Sequence, residues 1–289
     1  MHSADVNGID IWYEFEGEGP PLVLTHGFAG PTGGWPPVVY DLRTRFKLLL
    51  YDVRAHGKTT VPDPATVSMP QFAADLRGLL DKLGLERPHV AGVSMGGMIS
   101  AQFACDYPER LRSLWLCDTT AGNQGDASTA HIERQLVDVF ERTERIVAKH
   151  GFAELMRREN RYRHEQDPYA AKNQQFTLDE QDQRNLDRIG RMTDEGFIAA
   201  NIALRERPDL TSRAPSIRVP TLVSCGEWDM FHACAQRDHR LIPGSRFATI
   251  RGAAHDSAFY TPHLWKRAYF DFIDDLEAGR TIADEREYA

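Results

Sequence analysis

The chain contains a serine in a sequence context that suits nucleophilic catalysis. Ser94 lies within residues 92–96, Gly-Val-Ser-Met-Gly, which have the G-x-S-x-G spacing of a nucleophile elbow. An apolar run precedes this motif and a helical pattern follows it, so the serine is predicted to sit on a tight strand-to-helix turn that exposes its hydroxyl group. A serine hydroxyl attacks a carbonyl carbon efficiently only when a neighbouring base holds its proton. The motif therefore predicts acyl transfer through a covalent intermediate on Ser94.

His255 is the candidate base for Ser94. The ordinary pKa of histidine lies near neutral pH, so this residue could accept the serine proton and later return it to a leaving alcohol. A carboxylate on the other ring nitrogen would fix the tautomer and stabilise the imidazolium. Asp229, after a buried-strand pattern, is the preferred acid, and Asp118, after another such pattern, is the alternative. Asp256 is the weakest candidate because adjacent side chains seldom converge on one atom.

Two backbone N–H groups are predicted to form an oxyanion hole. Met95 begins the helix after the elbow, where the first N–H groups have no acceptor within the helix. Phe28 ends an H-G-F turn after the apolar run 21–25, a position from which a second N–H could point at the same oxygen. The side chain of His26 in this turn is interpreted as a brace for the loop. Phe28 and Met95 would together stabilise the charge of a tetrahedral intermediate.

The elements that must position these residues alternate between strands and helices. Buried-strand patterns occur at residues 21–25, 46–52, 88–91, 111–117, 219–225 and 246–250. This alternation predicts an α/β fold with a mainly parallel, doubly wound sheet, and open sheets of this type place their sites at the carboxyl ends of the strands. Residues 6–15 are expected to form a hairpin, and the charged residues after Ala278 are expected to fray.

The strand pattern stops between about residues 121 and 214. Amphipathic helices fill this stretch, which predicts a helical cap (121–214) inserted into a core formed by residues 1–120 and 215–289. Large apolar side chains are expected to line a substrate pocket: Trp35, Phe140, Phe152, Met156, Tyr162 and Phe197. Such a pocket should accept short or ring-shaped acyl groups. The cap arginines, Arg157, Arg158, Arg161 and Arg163, are interpreted as a solvated helix face rather than as a carboxylate site.

Composition limits the classes of partner. The 289 residues carry a net charge of -8, with 42% hydrophobic and 26% charged residues, so neither nucleic acid nor an anionic membrane is expected as a partner. No apolar run approaches the roughly 20 residues that span a bilayer, and the first residues lack the pattern of a signal peptide. The four cysteines form no C-x-x-C pair and are expected to be reduced. We therefore expect a cytoplasmic protein that acts on a small-molecule substrate, with its oligomeric state left open.

Nucleotide, metal and cofactor sites are not expected. Residues 57–59, Gly-Lys-Thr, resemble the end of a phosphate-binding loop, but Asp52 stands where that loop needs its first glycine. Asp52 and Arg54 are instead predicted to form a local ion pair. No G-x-G-x-x-G follows a strand and no H-E-x-x-H occurs, so the predicted chemistry uses no cofactor and no metal ion.

These motifs together resemble the α/β-hydrolase superfamily. The resemblance rests on four stretches in the order of that family: residues 26–28, the elbow around Ser94, residues 226–229 ending in Asp229, and residues 252–255 ending in His255. Within the superfamily the chain looks most like the compact-cap branch that contains 3-oxoadipate enol-lactonases, small esterases and C–C hydrolases. Haloalkane dehalogenases and epoxide hydrolases of this fold carry an aspartate at the elbow, so the serine argues against both.

The resemblance implies a cofactor-free serine hydrolase that cleaves a small ester or lactone through an acyl-enzyme on Ser94. Three alternatives remain open beside it: C–C bond hydrolysis of a diketone-like substrate, cofactor-free perhydrolysis, and a ligand receptor on a hydrolase scaffold with little turnover. Residues 54–59, Arg-Ala-His-Gly-Lys-Thr, depart mildly from the R-G-x-G-x-S of relatives. No loss of activity is inferred from this departure.

Overall fold

A nine-stranded sheet forms the centre of the computed structural model, which describes residues 2–30, 35, 38–59, 63–122, 129–166, 192–255 and 257–289. The strands are β1 His2–Val6, β2 Ile9–Glu16, β3 Pro21–Thr25, β4 Lys47–Tyr51, β5 His89–Val93, β6 Ser113–Cys117, β7 Thr221–Gly226, β8 Arg246–Ile250 and β9 Glu285–Tyr288. Their order in the sheet is β1-β2-β4-β3-β5-β6-β7-β8-β9. The pairs β1–β2 and β2–β4 are antiparallel, and every pair from β4–β3 to β8–β9 is parallel.

Helices cover both faces of this sheet. They are α1 Val39–Leu42, α2 Met69–Lys82, α3 Met95–Asp106, α4 Ala130–His150, α5 Phe152–Gln166, α6 Asp194–Arg205, α7 His232–Leu241, α8 Ser257–Tyr260 and α9 Pro262–Glu277. Helices α2 and α3 pack in the apolar cluster of one face, and α1 and α9 in that of the other. This arrangement confirms the predicted α/β fold with a mainly parallel sheet. None of the described helices combines the length and apolar content that crossing a bilayer requires.

Local sequence signals set where several of these helices begin. The Ser68 hydroxyl accepts the N–H of Gln71 at 3.2 Å and caps α2, as expected for a serine just before an amphipathic run. The Thr193 hydroxyl accepts the N–H of Gly196 at 3.0 Å and caps α6 in the same way. These caps satisfy N–H groups that have no acceptor inside the helix, so they fix the first turn of each helix.

Aromatic rings dominate the core beneath α1 and α9. Trp115 on β6 stacks on Trp265 and Tyr269 of α9, with ring centroids 3.8 and 4.3 Å apart. Trp35 joins this group with its ring centroid 5.8 Å from that of Trp265, and it is only 2% exposed. The structure therefore does not bring Trp35 to the substrate pocket predicted for it, because its ring is part of this core, whereas the cap helices pack in the other apolar cluster.

The last residues of the chain form the edge strand β9, so the prediction that they fray is wrong. β9 pairs in parallel with β8, and ion pairs anchor it. Arg246 of β8 contacts Asp275 at 2.7 Å and also contacts Asp284, while Arg286 of β9 contacts Asp275 at 2.8 Å. Arg246 is fully buried, and a buried guanidinium requires carboxylate partners of this kind.

Arg54 has a different partner from the one predicted. Its guanidinium donates to both carboxylate oxygens of Asp75 on α2, at 2.6 and 2.8 Å, and both side chains are buried. The Asp52 carboxylate instead accepts the N–H of Lys58 at 2.7 Å and shapes the turn after β4. The predicted Asp52–Arg54 pair is wrong because Asp75 offers Arg54 a bidentate contact from a neighbouring helix.

Helices α4, α5 and α6 lie between β6 and β7, in the cap region predicted from the sequence. Helices α4 and α6 pack against each other through a polar contact at their centre. The Asn201 amide on α6 donates to the Phe140 carbonyl and to the Thr143 hydroxyl of α4, both at 3.0 Å. This contact fixes the relative position of two helices that carry apolar rings toward the carboxyl end of the sheet.

Arg237 of α7 joins the beginning of α4 to the core. Its guanidinium donates to the Thr120 hydroxyl at 2.8 Å and to the Thr129 hydroxyl at 2.9 Å. The same group contacts Asp238 at 2.9 Å and Glu133 on α4 at 3.6 Å. Arg237 is 5% exposed, so water does not compete for these contacts. They attach the first turn of α4 to α7 of the core.

Candidate active site

Ser94 lies on a strained turn between β5 and α3. Its φ of +54° and ψ of -120° fall in a region that residues with side chains rarely adopt. Two hydrogen bonds hold this conformation: the Ser94 N–H donates to the Cys117 carbonyl at 3.0 Å, and the Thr119 hydroxyl donates to the Ser94 carbonyl at 2.7 Å. The turn therefore presents the hydroxyl at the carboxyl end of the sheet, as expected for an elbow.

The glycines on either side of Ser94 are required by close backbone contacts. A methyl group placed on Gly92 would lie 2.1 Å from the Gly96 carbonyl oxygen. A methyl group placed on Gly96 would lie 2.0 Å from the Thr25 carbonyl oxygen at the end of β3. No side chain fits at these distances, so the G-x-S-x-G spacing follows from how closely β3, β5 and α3 approach one another.

His255 links Ser94 to Asp229 through two hydrogen bonds. Its Nε2 lies 3.1 Å from the Ser94 Oγ, and its Nδ1 lies 2.9 Å from the Asp229 Oδ2. A proton on Nδ1 donates to the carboxylate, and Nε2 then faces the serine hydroxyl as an acceptor. The Asp229 side chain is fully buried and that of His255 is 37% exposed. The acid is therefore shielded from water, while the base is open to a substrate.

Asp229 keeps its charge in this buried position because donors surround its carboxylate. Burial alone would raise its pKa, but His255, the Phe231 N–H and the Cys225 thiol together hold the pKa below its usual value. The Phe231 N–H lies 2.9 Å from the Asp229 Oδ1. A charged carboxylate here can stabilise the imidazolium that forms when His255 takes a proton.

Asp118, the alternative acid, contacts other groups. Its carboxylate accepts the N–H of Gly226 at 3.0 Å and both the N–H and the hydroxyl of Ser257 at 2.7 Å. Burial, together with the nearby Asp229 charge, raises the pKa of Asp118 to about 7. The structure thus brings Asp229 rather than Asp118 to the histidine. Asp256, the third candidate, lies outside the described residues.

The predicted oxyanion donors lie next to Ser94. Met95 is the first residue of α3, so its N–H has no acceptor within the helix. The turn that carries Phe28 lies against the nucleophile, because a methyl group placed on Gly27 would be 3.5 Å from the Ser94 Cβ. The two residues predicted to supply oxyanion donors therefore lie on the turns next to Ser94.

Two buried histidines support the turn of residues 26–28, which carries the predicted donor Phe28 and is called the oxyanion turn below. His26 has Nδ1 2.8 Å from the Gly27 carbonyl, and its Nε2 accepts the N–H of Val53 at 3.0 Å. Burial lowers the pKa of His26 to about 4, so the ring is neutral and acts as the predicted brace. His56, whose position gives no signal in the sequence, lies with its ring centroid 5.2 Å from that of His26 and 5.9 Å from that of Phe28.

Aromatic rings from the cap and the core meet beside this turn. The ring centroid of Phe28 lies 4.9 Å from that of Phe197 on α6 and 6.4 Å from that of Phe140 on α4. Phe152, at the start of α5, lies 5.0 Å from Phe197 by the same measure. These four rings, the phenylalanine cluster, place an apolar surface next to the oxyanion turn.

The other predicted pocket residues of the cap lie on α5. Met156 is partly buried and packs against the apolar core that includes the phenylalanine cluster. Tyr162 is 65% exposed and does not join that cluster. Arg157 and Arg158 lie 3.9 and 2.9 Å from Glu154, with exposed side chains, so they form solvated ion pairs as the sequence analysis expected.

Two groups that position Asp229 were missed in the sequence. Phe231 donates its N–H to the carboxylate two residues earlier, which is the Asx turn that aspartate commonly forms in loops. The sequence could have indicated this turn, because an aspartate in a loop is enough to expect its carboxylate to accept the N–H two residues later. Cys225, at the end of β7, has its Sγ within 4.8 Å of an Asp229 carboxylate oxygen, and a cysteine in an apolar strand gives no comparable signal.

One group of described residues brings enough donor atoms together to consider a metal ion. Ligand atoms of Asp118, Cys225 and Asp229 lie within 4.8 Å of one another, and all three residues are buried. Their carboxylates already accept hydrogen bonds from backbone N–H groups, from a serine and from His255. Coordination would have to break these contacts, so we assign this group to the hydrogen-bond network of the acid.

Comparisons with known proteins show similarity over most of the chain. The family model described as alpha/beta hydrolase fold matches residues 20–262. A putative 2-succinyl-6-hydroxy-2,4-cyclohexadiene-1-carboxylate synthase of Bacillus subtilis (strain 168) is 29% identical over 280 residues, covering 92% of this chain and 96% of its own length. A putative carbamate hydrolase, RutD, of Azorhizobium caulinodans is 28% identical over 278 residues, covering 96% and 98%. The structure of an enol-lactonase from Burkholderia xenovorans LB400 superposes with a TM-score of 0.80 at 25% identity, covering 94% and 100%.

Proposed function

Since the chain belongs to the α/β-hydrolase family, we propose that it is a cofactor-free serine hydrolase that cleaves a small ester or lactone through an acyl-enzyme on Ser94. The observation that carries the proposal is the continuous path of hydrogen bonds from the Ser94 hydroxyl through His255 to the buried Asp229. This path gives a serine the base it needs and gives that base a fixed tautomer.

The acylation step uses each of these groups once. The Ser94 Oγ attacks the substrate carbonyl carbon while its proton moves to the His255 Nε2. The carbonyl oxygen becomes an oxyanion and accepts hydrogen bonds from the N–H groups of Phe28 and Met95. Collapse of the tetrahedral intermediate breaks the ester C–O bond, and the His255 proton goes to the leaving alkoxide. In a lactone the released hydroxyl stays attached to the acyl group.

Deacylation repeats the sequence with water as the nucleophile. His255 takes a proton from a water molecule, whose oxygen attacks the acyl carbon on Ser94. The second tetrahedral intermediate uses the same two N–H groups and then releases the acid, while the serine regains its proton from the histidine. Asp229 stays ionised throughout and stabilises the imidazolium in both halves.

The surroundings of the site favour a short or ring-shaped acyl group. The phenylalanine cluster lies beside the oxyanion turn, where the part of the substrate next to the carbonyl carbon would pack. Aromatic side chains of this kind bind flat, apolar groups through their faces and edges. Similarity to an enol-lactonase structure over 94% of the chain supports a lactone among the substrates to be tested.

Replacement of the nucleophile tests the proposal. Ser94→Ala should lower kcat for p-nitrophenyl esters and lactones by about 10⁴-fold or more, because the covalent route disappears. Ser100→Ala is a matched control: this buried serine lies on α3, the helix that follows Ser94, and its hydroxyl donates to the Gly96 carbonyl at 2.7 Å. A folded Ser94→Ala protein that keeps a tenth of the wild-type rate would refute the assignment.

Labelling with a fluorophosphonate separates the proposed hydrolase from a ligand receptor on the same scaffold. An assembled triad makes Ser94 reactive toward the phosphorus atom, so the wild-type protein should be labelled stoichiometrically and the Ser94→Ala protein should not. C–C hydrolysis and perhydrolysis would use the same nucleophile. They are distinguished by adding a diketone substrate, or hydrogen peroxide with a short carboxylic acid, to the ester and lactone panel.

A further inference from the structure

Asp118 is a buried carboxylate whose hydrogen bonds, in the part of the chain that the structure describes, go to Gly226 and Ser257 rather than to His255 or Ser94. It follows β6, it is fully buried, and its backbone has a φ of +46°, a left-handed conformation that is costly for a residue with a side chain. Its own N–H donates to the Ser224 carbonyl of β7 at 2.9 Å. A buried, strained acidic residue persists only where its surroundings over-determine its position.

The Asp118 carboxylate joins the two loops that carry the acid and the base. Its Oδ1 accepts the N–H of Gly226 at 3.0 Å, just ahead of Asp229 on the same loop. Its Oδ2 accepts the N–H and the hydroxyl of Ser257, both at 2.7 Å, just after His255. One side chain thus connects the end of β7 to the beginning of α8 from inside the protein.

A second set of contacts joins the same loops before His255. The Trp228 N–H donates to the Ala253 carbonyl at 2.9 Å, and the Glu227 carboxylate accepts the Gly252 N–H at 2.9 Å. These contacts lie on the amino-terminal side of the histidine, whereas the contact of Asp118 with Ser257 lies on its carboxyl-terminal side. The backbone on both sides of His255 is therefore held against the loop that carries Asp229.

The negative charge is favoured on Asp229 rather than on Asp118. Ligand atoms of Asp118 and Asp229 lie within 4.8 Å of each other, so two full negative charges would repel strongly at this depth. Asp229 has the lowered pKa and Asp118 the raised one, of about 7, so the negative charge is favoured on the carboxylate next to His255. Asp118 contributes through its hydrogen bonds to both loops.

We propose that Asp118 is a positioning residue, which sets the separation between Asp229 and the His255 ring by holding Gly226 and Ser257 at one point. The inference rests on the proposed function, in which His255 is the base for Ser94. Without the hydrogen bonds of Asp118, the His255 ring would lose its hydrogen bond to Ser94 or to Asp229 for part of the time. The rate of the chemical step would then fall while substrate binding changed little.

Two variants and a matched control test the proposal through kinetics. Asp118→Asn keeps the shape of the side chain but turns one acceptor oxygen into a donor, and Ser257→Ala removes one of the three hydrogen bonds. We expect kcat for a p-nitrophenyl ester to fall about 10- to 100-fold in Asp118→Asn, and less in Ser257→Ala, with KM within about twofold. Asp75→Asn alters a carboxylate that is also buried but pairs with Arg54, so it should lower stability without changing kcat of the folded protein.

A spectroscopic readout keeps this proposal separate from the proposed function. In ¹⁵N-histidine NMR spectra, the His255 Nδ1–H should give a downfield signal, assigned by its loss in His255→Gln. Asp118→Asn should speed the exchange of this proton with solvent, whereas Asp75→Asn should not. The signal is measurable even if no ester in the panel is hydrolysed, so a failed activity assay does not decide the outcome.

The proposal is overturned if Asp118→Asn folds and leaves both kcat and the exchange rate of the Nδ1 proton at the wild-type values. Where Asp118→Asn does not fold, Ser257→Ala decides the question by the same two measurements. Equal effects of Asp118→Asn and Asp75→Asn on kcat would also overturn it, because general destabilisation would then explain the loss.

Discussion

The electrostatics of single residues decide which carboxylate serves the histidine. Asp229 is shielded from water, and hydrogen bonds from His255 and the Phe231 N–H, with the Cys225 thiol nearby, hold its pKa below the usual value. Asp118, a short distance away, accepts three hydrogen bonds but carries the raised pKa. Two residues of the same type thus differ in role because their donors differ. Chain order alone favoured Asp229, but only the contacts separate the two.

Buried neutral histidines should make the protein sensitive to acid. His26 has its pKa lowered from 6.5 to about 4 by burial, so the unfolded chain binds a proton in that window while the folded chain does not. The free energy of unfolding should therefore fall as the pH drops from 6.5 towards 4, by up to about 3 kcal/mol from this residue. Urea unfolding of the wild type and of His26→Gln across this range measures the contribution.

The free energy of unfolding of His26→Gln should fall less steeply than that of the wild type as the pH drops from 6.5 towards 4. Asp118, whose pKa is raised, acts with the opposite sign, since its contribution to stability is lost as the pH rises from about 4 to about 7. The contribution of Asp118 to the free energy of unfolding cancels in the difference between the two proteins, because both retain this residue. Identical slopes in wild type and variant would show that His26 is not held neutral.

At the level of elements, the nucleophile elbow was predictable because its requirements are local. The two glycines, the serine and the following helix occupy consecutive positions, and the close approach of β3, β5 and α3 explains each glycine. The edge strand β9 was not predictable in the same way. Its sequence, Glu-Arg-Glu-Tyr, has a charged composition, and its ion pairs involve residues of other elements: Asp275 of α9, which contacts Arg286, and Arg246 of β8, which contacts Asp275.

Adding one methyl group inside the elbow should be far more harmful than adding one at an exposed turn. Gly96→Ala would place a carbon 2.0 Å from a backbone carbonyl oxygen that cannot move freely, so β3 and α3 would have to separate. We expect a loss of more than about 3 kcal/mol in the free energy of unfolding, or no soluble protein. Thermal and urea unfolding provide the measurement.

Gly84→Ala is the matched comparison for the elbow substitution. Gly84 has a φ of +65° after α2, but a methyl group placed there meets no atom within 4 Å. The cost should be limited to backbone strain, roughly 1 kcal/mol. Equal losses in the two variants would mean that packing in the elbow is looser than these distances imply.

For the molecule as a whole, we expect the attachment of the cap to the core to affect the shape of the proposed substrate pocket. Arg237 contacts Thr120 on the core side and Thr129 at the beginning of α4, so one buried guanidinium bridges the two. The phenylalanine cluster includes rings from α4, α5 and α6, and it lies beside the turn that carries Phe28. We expect its position there to depend on this attachment. Substrate choice should therefore respond to changes at a distance from the triad.

Removing the bridge should change substrate preference more than chemistry. In Arg237→Met we expect KM for short p-nitrophenyl esters to rise several-fold and the preference for acetate over octanoate esters to weaken, because the cap is held less firmly. Arg205→Met, which breaks a partly exposed contact of 3.0 Å with Glu144 inside the cap, is the control and should leave both nearly unchanged. An unaltered chain-length profile in a folded Arg237→Met protein would contradict this role.

The sequence was most informative where neighbouring residues determine structure and least where distant residues meet. The order of strands and helices, and the positions of Ser94 and His255 at strand ends, followed from local patterns. Trp35 was misplaced because a tryptophan after two glycines gives no indication of which face of the sheet it covers. Arg54 was misassigned because its partner, Asp75, lies on another element. Such pairings depend on the packing of the whole sheet, which no local pattern records.

Four of the five tryptophans fall into two groups that should give separable fluorescence signals. The fifth, Trp12, is half-buried beneath the Lys58 ammonium group. Trp115 and Trp265 stack on each other in the core, and Trp35 lies beside Trp265 at a tilted angle. All three should emit at short wavelength and exchange excitation energy. Trp228 is 60% exposed and directly precedes Asp229, so it should emit at longer wavelength and be the first to be quenched by acrylamide. Emission from the stack would report unfolding of the core, while the red-edge emission would report occupation of the site, both from the unmodified chain.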